Sequence, residues 1–134
     1  MSRKGNGTVY LRGLIELSNI CRKDCLYCGI RCSNSKVVRY DLSDREVLDL
    51  AQYALDNGYG SVVLQAGERC SADYVERISK LVYNIKAIKA KAAVNALPLG
   101  ITLSLGEQTR EVYREWKDCG ADRYLLRIEA SNPR

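Results

Sequence analysis

Segments with strand and helix patterns alternate along this chain, and the alternation limits the possible folds more than any other feature. Short apolar runs, typical of buried strands, are separated by stretches whose apolar residues recur at helical spacing. Strands that alternate with helices in this way predict βα units on one parallel sheet, the organisation of an α/β domain. The predicted strands cover residues 9–18, 61–64, 101–105 and 123–129.

The predicted helices carry recognisable start signals. Ser43 and Glu46 form a capping box before the first helix, and Ser71 or a neighbouring residue caps the second. Thr109 caps the third helix. Residues 86–100 are ambiguous, because their Ala and Lys content favours helix whereas the Pro and Gly near their end favour a loop.

Polar or cysteine-containing segments follow all four predicted strands. In a βα barrel these positions lie on one face, at the carboxyl ends of the strands, where active sites are built. The sequence therefore predicts one site formed by residues 21–28, 65–68, 104–107 and 129–131.

Alternate residues of the predicted strands divide into an inward and an outward set, because successive side chains point to opposite faces of a sheet. Simpler interpretations of the inward set stay open, namely polar residues tolerated near strand ends and an internal ion pair between Arg127 and Glu129. The set predicted to face the barrel interior is Glu16, Ser18, Gln65, Thr102, Ser104, Arg127 and Glu129. The set predicted to lie beneath the helices is Ile15, Leu17, Leu64, Leu103, Leu126 and Ile128.

Three cysteines fall close together after the first predicted strand. Cys21, Cys25 and Cys28 have the spacing C-x3-C-x2-C, which lets a single loop present three thiolates to one iron–sulfur cubane. A cubane has four irons, so three protein ligands leave one iron open for a small molecule, as a catalytic metal site keeps an open position.

Other interpretations of the cysteine motif stay open. A structural zinc site needs four ligands, usually in two close pairs, and no second pair follows here. Cys32 could supply a fourth thiolate and close the cluster as in a ferredoxin-like electron-transfer module, although Ser33 stands where the bacterial ferredoxin pattern has Pro. Disulfides are disfavoured, since a basic chain without a signal-peptide pattern is expected in a reducing compartment.

Composition narrows the function classes further. The net charge of +5 comes from scattered Lys and Arg residues without an RNA- or DNA-binding motif, so no nucleic-acid partner is expected. No apolar run is long enough to span a bilayer, so we expect no membrane association and a cytoplasmic protein. The chain has no His, so metal chemistry must rest on its six Cys and its carboxylates.

The cysteine motif, with Tyr27 immediately before its last Cys, resembles the signature of the radical S-adenosylmethionine (radical SAM) enzymes. Further segments are similar to the iron–iron hydrogenase maturase HydE, within the group that includes biotin synthase. The resemblance implies a partial TIM-type (βα) barrel with about four βα units, a small-molecule substrate and a role in hydrogenase cofactor maturation. The segments that carry it are residues 12–19, 28–31, 63–68, 102–107 and 122–127.

The resemblance also assigns cofactor residues. Cys21, Cys25 and Cys28 would bind three irons of a 4Fe-4S cluster, and the amino and carboxylate groups of S-adenosylmethionine (SAM) would chelate the fourth. Residues 65–68 would contact the SAM amino group, and Glu129 would hold the ribose hydroxyls. Besides the cysteines, the cofactor residues implied by the resemblance are Tyr27, Gln65, Ala66, Gly67, Glu68, Ser104 and Glu129.

Substrate and partners follow from the same resemblance. Gln65, Thr102 and Arg127 would line the substrate cavity, and the planar guanidinium of Arg127 suits a carboxylate. A reductant such as a ferredoxin or flavodoxin would reduce the cluster, which would cleave SAM to a 5′-deoxyadenosyl radical in a barrel that excludes water.

Departures from the HydE pattern leave related functions open. They include Ala66, the pair Arg69 and Cys70, and Ile128, so a methylornithine synthase or another biotin-synthase-like enzyme remains an alternative. A complete barrel takes ~250 residues, and we therefore expect residues 1–134 to form a single domain, the N-terminal half of such a barrel. A second chain that completes the barrel would cover its open edge.

Overall fold

The computed structural model describes residues 11–89 and 98–127 of the 134-residue chain. Strands and helices alternate through this part of the chain, and the four strands form one parallel sheet in the order β1-β2-β3-β4. The predicted α/β organisation is confirmed. The elements are β1 (Arg12–Ser18), α1 (Asp44–Asp56), β2 (Ser61–Ala66), α2 (Ala72–Ala87), β3 (Gly100–Ser104), α3 (Arg110–Asp118) and β4 (Arg123–Tyr124).

The register of the sheet sets polar residues side by side. Glu16 pairs with Gln65, and Gln65 pairs with Ser104, so polar side chains from three strands occupy one row near the carboxyl ends. Because successive residues face opposite sides of a sheet, the adjacent row faces the other way. That adjacent row is apolar and consists of Ile15, Leu64 and Leu103.

The hydrophobic core lies between the helices and the apolar side of the sheet. Val47 of α1, Ile78 of α2 and Ile101 of β3 are each 0% exposed. Trp116 of α3 is also buried, and its indole N–H donates to the backbone oxygen of Val75 at 3.2 Å. Removing these side chains from water is the main favourable contribution to folding. Because the core lies on the helix side of the sheet, the opposite face remains available for a site.

The helix start signals act largely as predicted. The Ser43 hydroxyl accepts the N–H of Glu46, and the Glu46 carboxylate accepts the N–H of Ser43 at 2.7 Å, which completes the capping box. Thr109 accepts the N–H of Val112 at the start of α3. The structure differs at Ser71, which occupies the N-cap position of α2 without a side-chain capping hydrogen bond.

The fourth strand is shorter than the sequence predicts. β4 ends at Tyr124. The last backbone hydrogen bond to β3 is donated by the Leu125 N–H to the Leu103 oxygen at 2.8 Å, and beyond it the chain leaves the sheet. Leu126, predicted to lie beneath the helices, is instead 50% exposed, because side chains alternate between faces only while the chain continues as a strand. The remaining predicted strand residues, Ile128 and Glu129, lie outside the described residues.

α2 and β3 flank the stretch that the sequence left ambiguous. The helix continues to Ala87 and the strand begins at Gly100, while residues 90–97 lie outside the described part. Asp122 fixes the start of β3, since its carboxylate accepts the Ile101 N–H and pairs with Lys86, each at 2.7 Å. None of the helices within residues 11–89 and 98–127 is long and apolar enough to cross a bilayer.

Candidate cofactor site

A cavity of about 300 Å³ opens at the carboxyl ends of the strands. The segments that follow β1, β2, β3 and β4 all contribute to its walls, so residues far apart in sequence meet there. The residues predicted to lie at the site that line the cavity are Glu16, Ser18, Cys21, Cys25, Tyr27, Cys28, Gln65, Ala66, Gly67, Glu68, Ser104, Gly106, Glu107 and Arg127. Leu126, predicted to lie beneath the helices, lines the cavity as well. Lining residues that the sequence did not single out include Asn19, Lys23, Ile30 and Tyr40.

The loop between β1 and α1 carries the three closely spaced cysteines, and residues 19–40 are called the cysteine loop below. Its backbone bonds to itself, with the Cys28 N–H donating to the Cys25 oxygen at 2.8 Å. The Asp24 carboxylate accepts the N–H of Ser33 at 3.1 Å. Hydrogen bonds from Ser33 lower the pKa of Asp24 below its ordinary value, so this tie within the loop is charged at neutral pH.

β2 and the cysteine loop touch at Gly67 and Cys21. A Cβ atom on Gly67 would lie 2.4 Å from the Ile20 oxygen and 2.6 Å from the Cys21 Cβ, so this approach requires glycine. The following backbone N–H, that of Glu68, donates to the Cys21 sulfur at 3.3 Å. An N–H directed at sulfur is one of the features that tune iron–sulfur centres.

The carboxylate of Glu68 joins the cysteine loop to the end of β3. Its side chain is only 4% exposed; one oxygen accepts Arg22 Nε at 2.9 Å, and the other accepts the Glu107 N–H at 2.7 Å and lies 3.4 Å from Lys23 Nζ. The hydrogen bond with Glu68 is the largest cause of a raised pKa at Arg22. Both carboxylate oxygens therefore already have protein partners, a structural role that the sequence motif did not reveal.

A second ion pair and a glycine support this junction. Lys23 contacts the carboxylate of Glu107, which raises the pKa of Lys23 and lowers that of Glu107. Gly106 has a φ of 78°, and a Cβ there would lie 2.5 Å from the Glu68 Cβ. Glycine at this position permits both the left-handed turn and the close packing of Glu68.

Arg39 is another structural residue that the sequence gave no reason to select. Its half-buried guanidinium donates to backbone oxygens on both sides of the cysteines, including those of Asn19 at 2.6 Å and Ile30 at 2.8 Å. An isolated Arg in a sequence carries no signal for such contacts.

Two further arginines fix the point where the cysteine loop joins α1. Asp41 accepts from Arg69 at 2.7 Å and from Arg77 at 2.9 Å, and Arg77 also pairs with Asp44 at 2.6 Å. Arg69 lies over the ring of Tyr74, 4.4 Å from its centroid, and burial raises the pKa of Tyr74 to about 12. Arg69, one of the departures from the HydE pattern, thus helps to fix the point where the cysteine loop joins α1.

The predicted substrate residues occupy different environments. Gln65 lines the cavity and its amide donates to Glu16 at 3.4 Å, while Arg127 lines the cavity as an exposed side chain. Thr102 does not line the cavity; it is 3% exposed, and its hydroxyl has no hydrogen-bond partner among the described residues. Glu129, predicted to hold the ribose, lies outside the described residues.

The thiols at the cavity fit an iron–sulfur cluster. All six cysteines are thiols rather than disulfides, and Cys21, Cys25 and Cys28 are partly buried. Among the described residues, no three His, Cys, Asp or Glu side chains converge closely enough to hold a single metal ion. A cubane does not require such convergence, because each thiolate binds a different iron. Cys32, the candidate fourth ligand, is exposed and does not line the cavity.

Comparison with known families identifies the superfamily to which this chain belongs. The sequence pattern of the radical SAM superfamily matches residues 15–134, nearly the whole chain. The chain belongs to the radical SAM superfamily. Members of this superfamily are enzymes that bind a 4Fe-4S cluster and SAM, the two cofactors that the resemblance implied.

Radical SAM relatives with curated functions include a hydrogenase maturase and biotin synthases. The chain is 44% identical over 126 residues to the [FeFe] hydrogenase maturase subunit HydE of Thermotoga maritima, covering 93% of this chain and 33% of that protein. It is 32% identical over 108 residues to biotin synthase of Magnetococcus marinus, covering 78% of this chain and 31% of that protein. The chain thus spans about a third of the length of these relatives.

Solved radical SAM structures share the fold. HydG, a maturase of the [FeFe]-hydrogenase, superposes with a TM-score of 0.71 at 26% identity, covering 86% of this chain and 25% of that chain. Methylornithine synthase (PylB) gives 0.70 at 27% identity, with 88% and 33% coverage. Together with the parallel sheet, these similarities confirm the predicted partial TIM-type barrel.

Proposed function

We propose that this chain binds a 4Fe-4S cluster through Cys21, Cys25 and Cys28, binds SAM beside it and cleaves SAM reductively in hydrogenase cofactor maturation, as a HydE-like protein. The observation that carries the proposal is that the three thiols of one loop meet the ends of β2 and β3 at a single cavity. When bound, the cluster would supply the electron that breaks the SAM carbon–sulfur bond and yields a 5′-deoxyadenosyl radical.

Residues at the strand ends are proposed to orient SAM. Gln65 and Ala66 at the end of β2 and Ser104 at the end of β3 line the cavity beside the thiols. Both oxygens of the Glu68 carboxylate are already bonded within the protein, so we assign the SAM amino group to the end of β2 rather than to that carboxylate. The ring of Tyr27, 66% exposed at the cavity, offers SAM an aromatic surface.

The substrate is proposed to be a small molecule that carries a carboxylate. Arg127 supports this because a guanidinium binds a carboxylate with two parallel hydrogen bonds. Glu16, Gln65 and Tyr40 also line the cavity. Burial, followed by the charge of Glu16, raises the pKa of Tyr40, so its hydroxyl remains a donor at neutral pH. A substrate contact at Thr102 stays a prediction.

Cluster binding can be tested by anaerobic reconstitution of the purified chain with iron and sulfide. We expect one 4Fe-4S cluster per chain, and we expect Ala substitution at any of the three cavity cysteines to abolish it. The same substitution at cysteines away from the motif should leave the iron content unchanged. A cluster that survives all three cavity substitutions would contradict the proposal. The test variants are Cys21→Ala, Cys25→Ala and Cys28→Ala, and the controls are Cys70→Ala and Cys119→Ala.

SAM binding at an open iron separates the enzyme from the ferredoxin-like alternative. We expect SAM to change the electron paramagnetic resonance spectrum of the reduced cluster, because only a cluster with an open iron can accept its amino and carboxylate groups. We expect Cys32→Ala to keep both the cluster and this response. An unchanged spectrum with SAM, together with cluster loss in Cys32→Ala, would favour electron transfer alone.

The maturase assignment competes with a methylornithine synthase function, since PylB shares the fold at 27% identity. The higher identity to HydE, 44% over 93% of the chain, favours the maturase. Hydrogenase activation by this chain together with the strands that complete its barrel, in a host whose own HydE gene is deleted, would test the choice. Failure there, with formation of methylornithine by the same completed barrel, would support the alternative.

An external reductant is proposed to dock on the cysteine loop. Residues 19–40 contain five Lys or Arg residues and one Asp, a net charge of +4. A basic surface next to the cluster favours an acidic electron carrier such as a ferredoxin or flavodoxin, and such an encounter slows with added salt. We expect the rate of cluster reduction by flavodoxin to fall with salt, whereas reduction by dithionite should change much less.

Closure of the barrel is a further part of the proposal. The interior face of the sheet exposes apolar side chains, with Leu14 at 58% and Leu125 at 46% exposure, and such surface is normally covered. We propose that additional strands, in the same protein or from a second chain, cover this face and complete the SAM and substrate pockets. We therefore expect residues 1–134 alone to form little 5′-deoxyadenosine from SAM. Turnover comparable to that of complete relatives would contradict this.

A further inference from the structure

Arg39 makes an unusual number of contacts for a side chain on a loop. One terminal nitrogen donates to the oxygens of Asn19 at 2.6 Å and Ile30 at 2.8 Å, and the other donates to those of Arg31 at 2.7 Å and Asn34 at 3.3 Å. A guanidinium has five N–H donors in a fixed plane, and here nearly all of them serve backbone oxygens of a single loop.

The four oxygens lie on both sides of the cysteines in sequence. Asn19 precedes Cys21, whereas the other three acceptors follow Cys28. One side chain thus joins the two ends of the segment that carries the three thiols. Asn19 strengthens the same closure, because its side-chain amide donates to the Val38 oxygen at 2.7 Å and accepts the Tyr40 N–H at 2.8 Å.

Closure of this kind matters because no helix or strand holds the segment. The cysteine loop contains no helix or strand residue, and Leu26 and Val38 within it are 89% and 87% exposed. A loop without an apolar core is ordered chiefly by its polar bonds, and each bond contributes only about 0.5–1.5 kcal/mol net. Four bonds from one rigid group fix the loop with little additional loss of side-chain entropy.

Building on the proposed function, we propose that Arg39 is a positioning residue that holds the cysteine loop ready for the cluster before the cluster binds. The four bonds are made entirely within the protein and do not involve the thiols. Groups that orient metal ligands from outside typically change metal affinity by about 10–100-fold when they are lost.

The test compares two substitutions that remove one positive charge from the same loop. Arg39→Gln removes the four hydrogen bonds as well, whereas Lys36→Gln removes only the charge of an exposed side chain. Arg39→Lys keeps the charge but presents a single ammonium in place of the planar fork. Each variant of the 134-residue chain is measured without metal by hydrogen–deuterium exchange, and with metal by iron content and by the rate of cluster loss to a chelator.

We expect Arg39→Gln to speed amide exchange in residues 19–40 while exchange in β1, β2 and β3 stays unchanged. Cluster loss to the chelator should be about tenfold faster or more. Lys36→Gln should behave like the unsubstituted chain within about twofold, as expected for a surface charge, and Arg39→Lys should be intermediate. An altered electron paramagnetic resonance spectrum of the cluster that remains in Arg39→Lys would show that the geometry of the cysteine ligands has changed, and not only the folding of the loop.

Several results would overturn the proposal. They are unchanged loop exchange in Arg39→Gln, or equal cluster loss in Arg39→Gln and Lys36→Gln. If Arg39→Gln unfolds altogether, Arg39→Lys decides, and wild-type behaviour in that variant also contradicts the role. If the unsubstituted chain binds no cluster, the proposed function fails, while exchange in the metal-free protein still decides whether Arg39 orders the loop.

Discussion

The βα scaffold and the cysteine loop are stabilised in opposite ways. In the scaffold, side chains such as Val47, Ile78 and Ile101 are 0% exposed and form one hydrophobic cluster. In the cysteine loop, by contrast, large apolar side chains are exposed, and order comes from the hydrogen bonds of Arg39 and Glu68. The scaffold is thus stabilised by burial of apolar side chains, whereas the cysteine loop is stabilised by hydrogen bonds and ion pairs.

The contrast explains how stability and function are divided. Apolar burial contributes roughly 25 cal/mol per Å² but has no preferred direction, so it can hold a sheet together without fixing individual polar atoms. Hydrogen bonds contribute less but fix distances and angles, which is what thiols that must meet a cluster require. We therefore expect the cysteine loop to open locally at lower free energy than the scaffold.

The largest expected effect comes from removing hydrocarbon from the scaffold. Ile78→Ala should lower the free energy of unfolding by about 2–5 kcal/mol, because the side chain is fully buried and the site cannot collapse completely. Urea unfolding measures the change. Tyr83→Ala on the same helix, where the ring is 67% exposed, should change it by less than about 0.5 kcal/mol. Equal losses in both variants would mean that the helix does not pack as described.

The next effect concerns the link between the two regions. Glu68→Gln keeps the shape of the side chain but removes the charge that faces Arg22 and Lys23, and it can direct an N–H at the Glu107 N–H. We expect the free energy of local opening at the loop to fall by about 1–3 kcal/mol, measured by amide exchange, with a smaller change in global unfolding.

A matched control exists on α2. Glu76→Gln also neutralises a carboxylate that faces a cation, in the exposed pair with Lys80, and it should leave exchange in the cysteine loop unchanged. A loop that opens no more easily in Glu68→Gln than in Glu76→Gln would remove Glu68 as the link between the regions.

The scaffold was largely predictable because its signals are local in sequence. The capping box at Ser43 and Glu46 and the third helix, capped by Thr109, depend on residues within a few positions of one another. The spacing of the three cysteines is local in the same sense, which is why their loop could be identified without a structure.

The contacts that order the site could not be predicted because they join distant residues. Arg22 meets Glu68 across 46 positions and Arg39 meets Asn19 across 20, and no local pattern marks such pairs. Alternation along a strand assigned Leu126 to the helix side, but β4 ends at Tyr124 and Leu126 lines the cavity instead. For Thr102, alternation does not report accessibility, and the side chain is only 3% exposed.

A smaller effect tests whether the cap at the start of α1 belongs to the scaffold. Ser43→Ala should lower the free energy of unfolding by about 1 kcal/mol, since Ser43 accepts the Glu46 N–H. Ser71→Ala is the matched control, because Ser71 holds the same position on α2 without a capping bond and should cost much less. If both substitutions cost the same, position rather than the hydrogen bond would matter. Thermal unfolding distinguishes the two results.

The smallest effect is the response of the two regions to acid. Hydrogen bonds from Ser33 lower the pKa of Asp24, and the contact with Lys23 lowers that of Glu107. A carboxyl group whose folded pKa is depressed adds stability above its unfolded pKa, and that stability is lost as the pH falls through the folded value. These contacts of the cysteine loop are therefore complete at neutral pH and weaken below the ordinary values of 3.8 for Asp24 and 4.5 for Glu107.

We accordingly expect amide protection in the cysteine loop to fall at higher pH than protection in β1 and β2, whose buried hydrocarbon does not titrate. The scaffold has its own depressed carboxyl at Asp122, where the pKa is lowered by Lys86 and the Ile101 N–H despite opposing burial, but that group holds only the start of β3. Asp24→Asn should make protection of the loop less dependent on pH by removing the titrating contact between Asp24 and Ser33. If loop and sheet lose protection together in the unsubstituted chain, the loop is not an independent unit, and the division between a hydrocarbon scaffold and a polar loop would have to be abandoned.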